Sequence, residues 1–124
     1  MANKHVIKLT ENEAVVKVYA TDAAGNTITI SLQSDLTKQG ETYTAGTSAV
    51  TIRKIFWGTK NNKHIDLQRE VIASPGTYHG HYYFINAGTH DYVGFVDDLY
   101  KTGDIRVVSD GPFHMILVLG KEGF

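Results

Sequence analysis

The strongest constraint on this chain is an alternation of apolar and polar residues with a period of two, recurring from end to end. Residues 14–20 read AVVKVYA, so Ala14, Val16, Val18 and Ala20 share one face while Val15, Lys17 and Tyr19 share the other. Residues 27–32 read TITISL, with Ile28, Ile30 and Leu32 on one face and Thr27, Thr29 and Ser31 on the other. In residues 65–70, Ile65 and Leu67 point one way and Asp66, Gln68 and Glu70 the other. A period of two marks a strand with one buried face. Shorter stretches at residues 6–9, 92–96 and 105–109 read as strands too, as does the aromatic run YHGHYYFIN at residues 78–86. Residues 113–119 are almost continuously apolar, which predicts a central strand.

Turn chemistry separates these runs: DAAGN at 22–26, GTKNN at 58–62, SPG at 74–76, AGT at 87–89, YKTGD at 100–104 and DGP at 110–112. The sum is about eight or nine strands at roughly 8–12-residue spacing, with no convincing helix. This predicts an all-β fold, a single antiparallel β-sandwich of jelly-roll-like type forming one domain over residues 1–124. The turns further predict two hairpins, one joining 14–20 to 27–32 and one at the centre of the chain, residues 50–71.

Two segments depart from the pattern. Ile55, Phe56 and Trp57 are consecutive, so either a bulge shifts the register there or both faces are covered. In the second case a neighbouring subunit lies on one face, and Phe56 or Trp57 is exposed in the isolated chain. Residues 33–49 form a polar stretch rich in Gly, Ser and Thr, anchored only by Leu36 and Tyr43. Loops beyond about 12–15 residues are commonly functional. This one is a candidate contact arm, or else a broken edge strand around Glu41 and Thr44.

Composition excludes several classes. The net charge is −1, from 12 basic and 13 acidic residues spread along the chain, with no basic stripe for nucleic acid. Folding would still have to gather Lys54, Lys60, Lys63 and Arg69 to build a basic patch. There is no cysteine, hence no disulfide, thiolate metal site or catalytic thiol. No run approaches the roughly 18 apolar residues of a membrane span, and the N-terminal residues show no signal-peptide core. Charged residues, at 20%, are sparse against the usual value of about 25%, which points to a surface partly covered by a partner.

Candidate chemistry is thin. His79 and His81 form an H-x-H pair that a regular strand projects to one face, and His90 with Asp91 follows on the next turn, a pattern open to zinc or iron. The plainer reading is surface or interface histidines, with Gly80 marking a kink. Asp97, Asp98 and Asp104 offer oxygen ligands for calcium without EF-hand spacing. Asp91, Asp97 and Glu70 supply carboxylates, but nothing selects an opposed pair for glycoside hydrolysis. There is no nucleophile elbow and no phosphate loop. Trp57, Tyr78, Tyr82, Tyr83, Phe84 and Tyr92 could stack on sugars or bases, or fill the core or an interface. No catalytic, cofactor-binding or metal residue is assigned.

Several segments together resemble a family of small virion structural proteins of tailed bacteriophages, especially marine ones. They are N-E-A-V-V-K-V at 12–18, T-I-T-I-S-L at 27–32, I-R-K-I-F-W-G at 52–58 and I-x-L-x-R at 65–69. A Y-x-G-F step at 92–95, G-D-I-x-V at 103–107 and L-V-L-G-K-E-G-F at 117–124 complete the set. The loop at 33–49 and the H-x-H have no counterpart in that pattern. The resemblance implies a non-enzymatic particle protein, a capsid decoration (cement) or head–tail neck protein. It would be assembled in the host cytoplasm, homo-oligomeric, and partnered by capsid or neck proteins rather than membrane or nucleic acid. The alternative is a carbohydrate- or receptor-binding β-sandwich module using the aromatic strand. A cupin-like metal enzyme around His79, His81 and His90 is the third possibility.

Overall fold

The computed structural model describes residues 2–22, 25–91 and 100–124, the side chains of Ala2 and His81 excepted. Within them nine strands and no helix are found. They are β1 (Ala2–Leu9), β2 (Glu13–Ala20), β3 (Asn26–Ile30), β4 (Ala49–Thr59), β5 (His64–Glu70), β6 (Tyr78–Ile85), β7 (Ala87–Asp91), β8 (Ile105–Ser109) and β9 (Phe113–Glu122). The strands form a five-stranded sheet, β1-β2-β9-β4-β7, and a four-stranded sheet, β3-β8-β5-β6, both antiparallel. The all-β, two-sheet expectation holds, and β9 is central, between β2 and β4. No helix among the described residues is long and apolar enough to cross a membrane.

The inward rows are those the alternation marks. Val16, Val18, Ile55, Met115, Leu117 and Leu119 from one sheet meet Ile28, Ile30, Ile65, Leu67, Ile105 and Val107 from the other. At roughly 1.5–3 kcal/mol for each fully buried aliphatic side chain, this layer dominates what holds the sheets together.

Neither expected hairpin forms. β2 belongs to the five-stranded sheet and β3 to the four-stranded one, where β3 pairs with β8. Likewise β4 and β5 lie in different sheets, β4 beside β9 and β7, and β5 between β8 and β6. The turn at 87–89 is also displaced: those residues belong to β7, and the chain reverses at Asn86, held at a positive φ of 62°. The predicted strand at 92–96 lies outside the described residues. Four links, β2–β3, β4–β5, β6–β7 and β8–β9, all cross between sheets at one end of the sandwich. We term this the aromatic end. A turn sequence specifies that the chain reverses; it does not specify whether the next strand pairs with the last or crosses to the facing sheet.

A bulge precedes Ile55-Phe56-Trp57, but the run itself pairs in regular register with Leu117, Ile116 and Met115. The β4–β9 register shifts between Ile52 and Lys54, leaving Arg53 as the extra residue. Ile52 and Ile55 then both face the core, and Phe56 turns outward with 37% of its surface exposed.

At the opposite end two cations are buried. Arg69, in phase with Ile65 and Leu67, is 1% exposed. Its guanidinium donates to the carbonyls of Val50 (3.1 Å), Lys101 (2.9 Å) and Gly103 (2.9 Å). Lys121, in phase with Leu117 and Leu119, donates to Glu41 Oε1 (2.6 Å) and to the Thr10 carbonyl (2.9 Å), with its ammonium over the Phe124 ring. Arg69 therefore joins no basic patch with Lys60 and Lys63, which lie at the aromatic end. The long loop is docked on this end as well. Leu32 and Leu36 enter the core, Glu41 reaches Lys121, and the Ser48 hydroxyl donates to Gly123 O while accepting from Thr44 N–H. It carries no strand around Glu41 and Thr44.

Candidate functional site

The histidine set is dispersed. His79 lies opposite Arg69 in the four-stranded sheet, its ring stacked parallel on Tyr100 with centroids 5.0 Å apart. His90 lies opposite Ile55 in the five-stranded sheet. The β5–β6 register shifts so that Gly80 and Tyr82 oppose consecutive residues Gln68 and Leu67, which takes His81 out of the ladder. Among the described residues, no three His, Asp or Glu side chains form a metal-binding group.

The carboxylates do not pair either. Glu70 ends β5 and accepts the Gly76 N–H at 3.1 Å, whereas Asp91 ends β7 in the other sheet, opposite Lys54. Asp104 accepts the Leu32 N–H at 3.0 Å. Burial raises its carboxyl above the usual aspartate range, and the nearby Glu70 and Asp35 charges add to this against the Leu32 hydrogen bond and Arg69. Asp97, Asp98 and Tyr92 lie outside the described residues.

Trp57, Tyr82, Tyr83 and Phe84 do converge, at the aromatic end, and they divide by face, whereas Tyr78 lies at the other end of β6, opposite Glu70, with the Arg106 guanidinium over its ring. Phe84 is buried, with Trp57 at 4.4 Å and Tyr82 at 6.1 Å between ring centroids. The Trp57 indole N–H donates to the Ile85 carbonyl at 3.1 Å. Trp57 and Tyr82 thus close the core. On the opposite face of β6, Tyr83 is 64% and Ile85 54% exposed. The Tyr83 ring stacks on His64, with centroids 4.8 Å apart and planes 17° from parallel. His64 is fixed in turn by Asp110: its backbone N–H donates to Oδ1 at 2.7 Å and its Nδ1 lies 3.0 Å from Oδ2. That backbone hydrogen bond is the main cause of a lowered Asp110 pKa; burial opposes it, and the charges of His64 and Lys63 assist. Asn62, Lys63, His64, Tyr83, Ile85 and Asn86 enclose a shallow depression of about 290 Å³. A sequence reading separates Tyr83 and Ile85 from Tyr82 and Phe84 by alternation. It does not find His64 and Asp110, which reach the site through the folding of distant segments.

A larger depression of about 670 Å³ lies at the other end, lined by Glu11, Asn12, Glu41, Lys121 and Phe124 among others. Its buried ammonium is already committed to Glu41 and the Thr10 carbonyl.

A second surface is the outer face of the five-stranded sheet. In register across β2, β9 and β4 run the rows Val15–Val118–Lys54, Lys17–Ile116–Phe56 and Tyr19–His114–Gly58. Val15, Ile116 and Val118 are half-buried, Tyr19 and Phe56 exposed. Lys17 leans over Tyr19 and Lys54 over Phe56, at 5.6 and 5.1 Å from the ring centroids. The result is an apolar strip edged by cations.

Comparison with protein-family models, with curated proteins and with solved structures gives no match for this chain.

Proposed function

We propose that this chain is a non-enzymatic structural protein of a tailed-phage virion, a capsid decoration (cement) protein that binds the shell as an oligomer. The observation that carries this reading is the apolar strip on the outer face of the five-stranded sheet. A sheet face turned to water ordinarily alternates to polar residues. Here Val15, Ile116, Val118, Phe56 and Tyr19 occupy neighbouring outward positions. Such a face suits a protein surface better than a small ligand, and its cationic edge favours a partner with acidic residues.

The strand order supports the jelly-roll part of the reading. Without the added edge strand β1, the eight remaining strands form β2-β9-β4-β7 against β3-β8-β5-β6, with one strand pair, β5–β6, consecutive within a sheet. Double-sheet folds of eight strands in two Greek keys serve viral capsid and lectin domains. The fold raises both classes without choosing between them.

Virions purified from an infected culture carrying the gene test the role. Antibody raised against the purified chain should label the head or neck in a symmetric array, and sedimentation of the free chain should show an oligomer. Ile116→Asp should abolish particle labelling while leaving the circular dichroism spectrum unchanged. A stable monomer missing from purified virions would sink the reading.

A further inference from the structure

The depression beside β6 contains a feature that neither the core nor the strand ladder uses. Tyr83 and Ile85 stand next to each other on the outward face of an edge strand, the most exposed aromatic and one of the most exposed aliphatic side chains described. Exposed apolar side chains on an edge are a hazard for a domain in water. Yet the Tyr83 ring is held rather than loose. It stacks on His64, and Asp110 grips His64 through both its backbone N–H and its imidazole. A ring braced in this way gives up little freedom when a ligand settles on its open surface.

The rest of the lining decides which ligand fits. Asn62 and Asn86 flank the rings, each at a turn with positive φ, 64° and 62°. Asn tolerates that left-handed conformation far better than bulkier residues do. Each amide offers both donors and an acceptor, the complement of hydroxyl groups that also donate and accept. Lys63 is the one lysine or arginine of the lining, and His64 is paired with Asp110, too little positive charge to favour a phosphodiester chain. An aromatic face beside two neutral amides matches a molecule with one apolar face and a rim of hydroxyls.

We propose that this depression is a saccharide-binding subsite. It takes one pyranose ring with its apolar face on Tyr83 and its hydroxyls toward the Asn62 and Asn86 amides. The site lies on the four-stranded sheet, away from the apolar strip, and does not rest on the particle role. At about 290 Å³ it stands at the small end of ligand pockets, which predicts an affinity of roughly millimolar order for a single sugar unit. Repeated copies in an oligomer would raise that by avidity.

The test is an NMR titration of the full chain with glucose, galactose, mannose and N-acetylglucosamine, each as monosaccharide and as trisaccharide, with adenosine monophosphate alongside. At least one saccharide should shift the signals of residues 62–64 and 83–86 saturably, by roughly 100 mM at most. Tyr83→Ala and Tyr83→Leu should each weaken binding about ten-fold or more, Tyr83→Phe should stay within about two-fold, and Phe56→Ala on the other sheet should leave it unchanged. Tyr83→Leu keeps apolar bulk, so it separates loss of the ring from loss of fold. The proposal fails if no saccharide shifts these signals, if binding survives both Tyr83→Ala and Tyr83→Leu, or if the nucleotide binds there more tightly than every sugar.

Discussion

The two ends of the sandwich are built on opposite principles. At one end a long loop and two buried cations are tied down by hydrogen bonds to backbone carbonyls and to Glu41. At the other, four short links cross between the sheets and leave an aromatic cluster, half of it sealed and half open to water. Length is therefore no guide to recognition here. The loop at 33–49 closes the fold, while the short turns around Asn62 and Asn86 frame the depression. If this division is right, substitutions at the closed end cost stability and leave ligand binding alone, and the cost falls steadily toward Tyr83.

The largest loss is expected for Arg69→Met. The substitution keeps apolar bulk but withdraws donors from the carbonyls of Val50, Lys101 and Gly103. Part of the loss is offset, since Lys101 O also accepts from the Val50 N–H. A cost on the order of 3 kcal/mol follows from leaving buried acceptors short of donors. Denaturant unfolding followed by circular dichroism measures it. A variant within about 1 kcal/mol of the parent would show that apolar filling does the work of the guanidinium.

Glu41→Gln comes next, at roughly 2 kcal/mol, because it removes the negative partner of a buried ammonium. It also carries a pH signature. Lys121 holds the Glu41 carboxyl below its ordinary value of 4.5, chiefly through their hydrogen bond. The stabilisation is thus fully present above pH 4.5 and is lost as pH falls through the lower folded-state value. Unfolding curves taken across that acid range should fall less steeply for the variant than for the parent. Parallel curves would mean that another carboxylate controls the acid limb.

Much of this architecture is legible in the sequence, and the parts that are not share a cause. Alternation identifies the inward rows of β2, β3 and β5, and the continuous apolar run of β9 marks it as central. Alternation also carries an unused signal: Arg69 follows Ile65 and Leu67 in phase, and Lys121 follows Leu117 and Leu119. A cation in phase with an inward row is a buried cation unless the strand has already left the core. Sheet partners are not legible. Asn-rich and Gly-rich turns look the same whether a strand pairs with its neighbour, as β5 does with β6, or crosses to the facing sheet, as β4 does to β5. The bracing of Tyr83 is hidden for the same reason. It depends on His64 opposing Ile85 across the β5–β6 ladder, and on Asp110 arriving from the β8–β9 link.

At the aromatic end, Trp57→Phe should cost about 1 kcal/mol, the value of the indole N–H bond to Ile85 O, since a phenyl ring can still stack on Phe84. Circular dichroism must report it, because Trp57 is the sole tryptophan. A loss well above that would extend the rigid, tied character of the closed end into the sealed half of the cluster.

The smallest effect belongs to Tyr83→Ala. With 64% of its surface in water, the side chain gives up little contact when removed; its main packing partner is the His64 ring. That stack is worth at most a few tenths to about 1 kcal/mol, and surface substitutions away from caps and networks usually stay within about 0.5 kcal/mol. His64 keeps its two contacts to Asp110, so the backbone around β5 should not move. An unfolding midpoint matching the parent, with the amide spectrum changed only near residues 62–64 and 83–86, is the expected result. A loss above about 1 kcal/mol would make Tyr83 part of the fold's own support. The two ends would then differ in degree rather than in kind, and an exposed ring held ready on a finished scaffold would no longer describe this one.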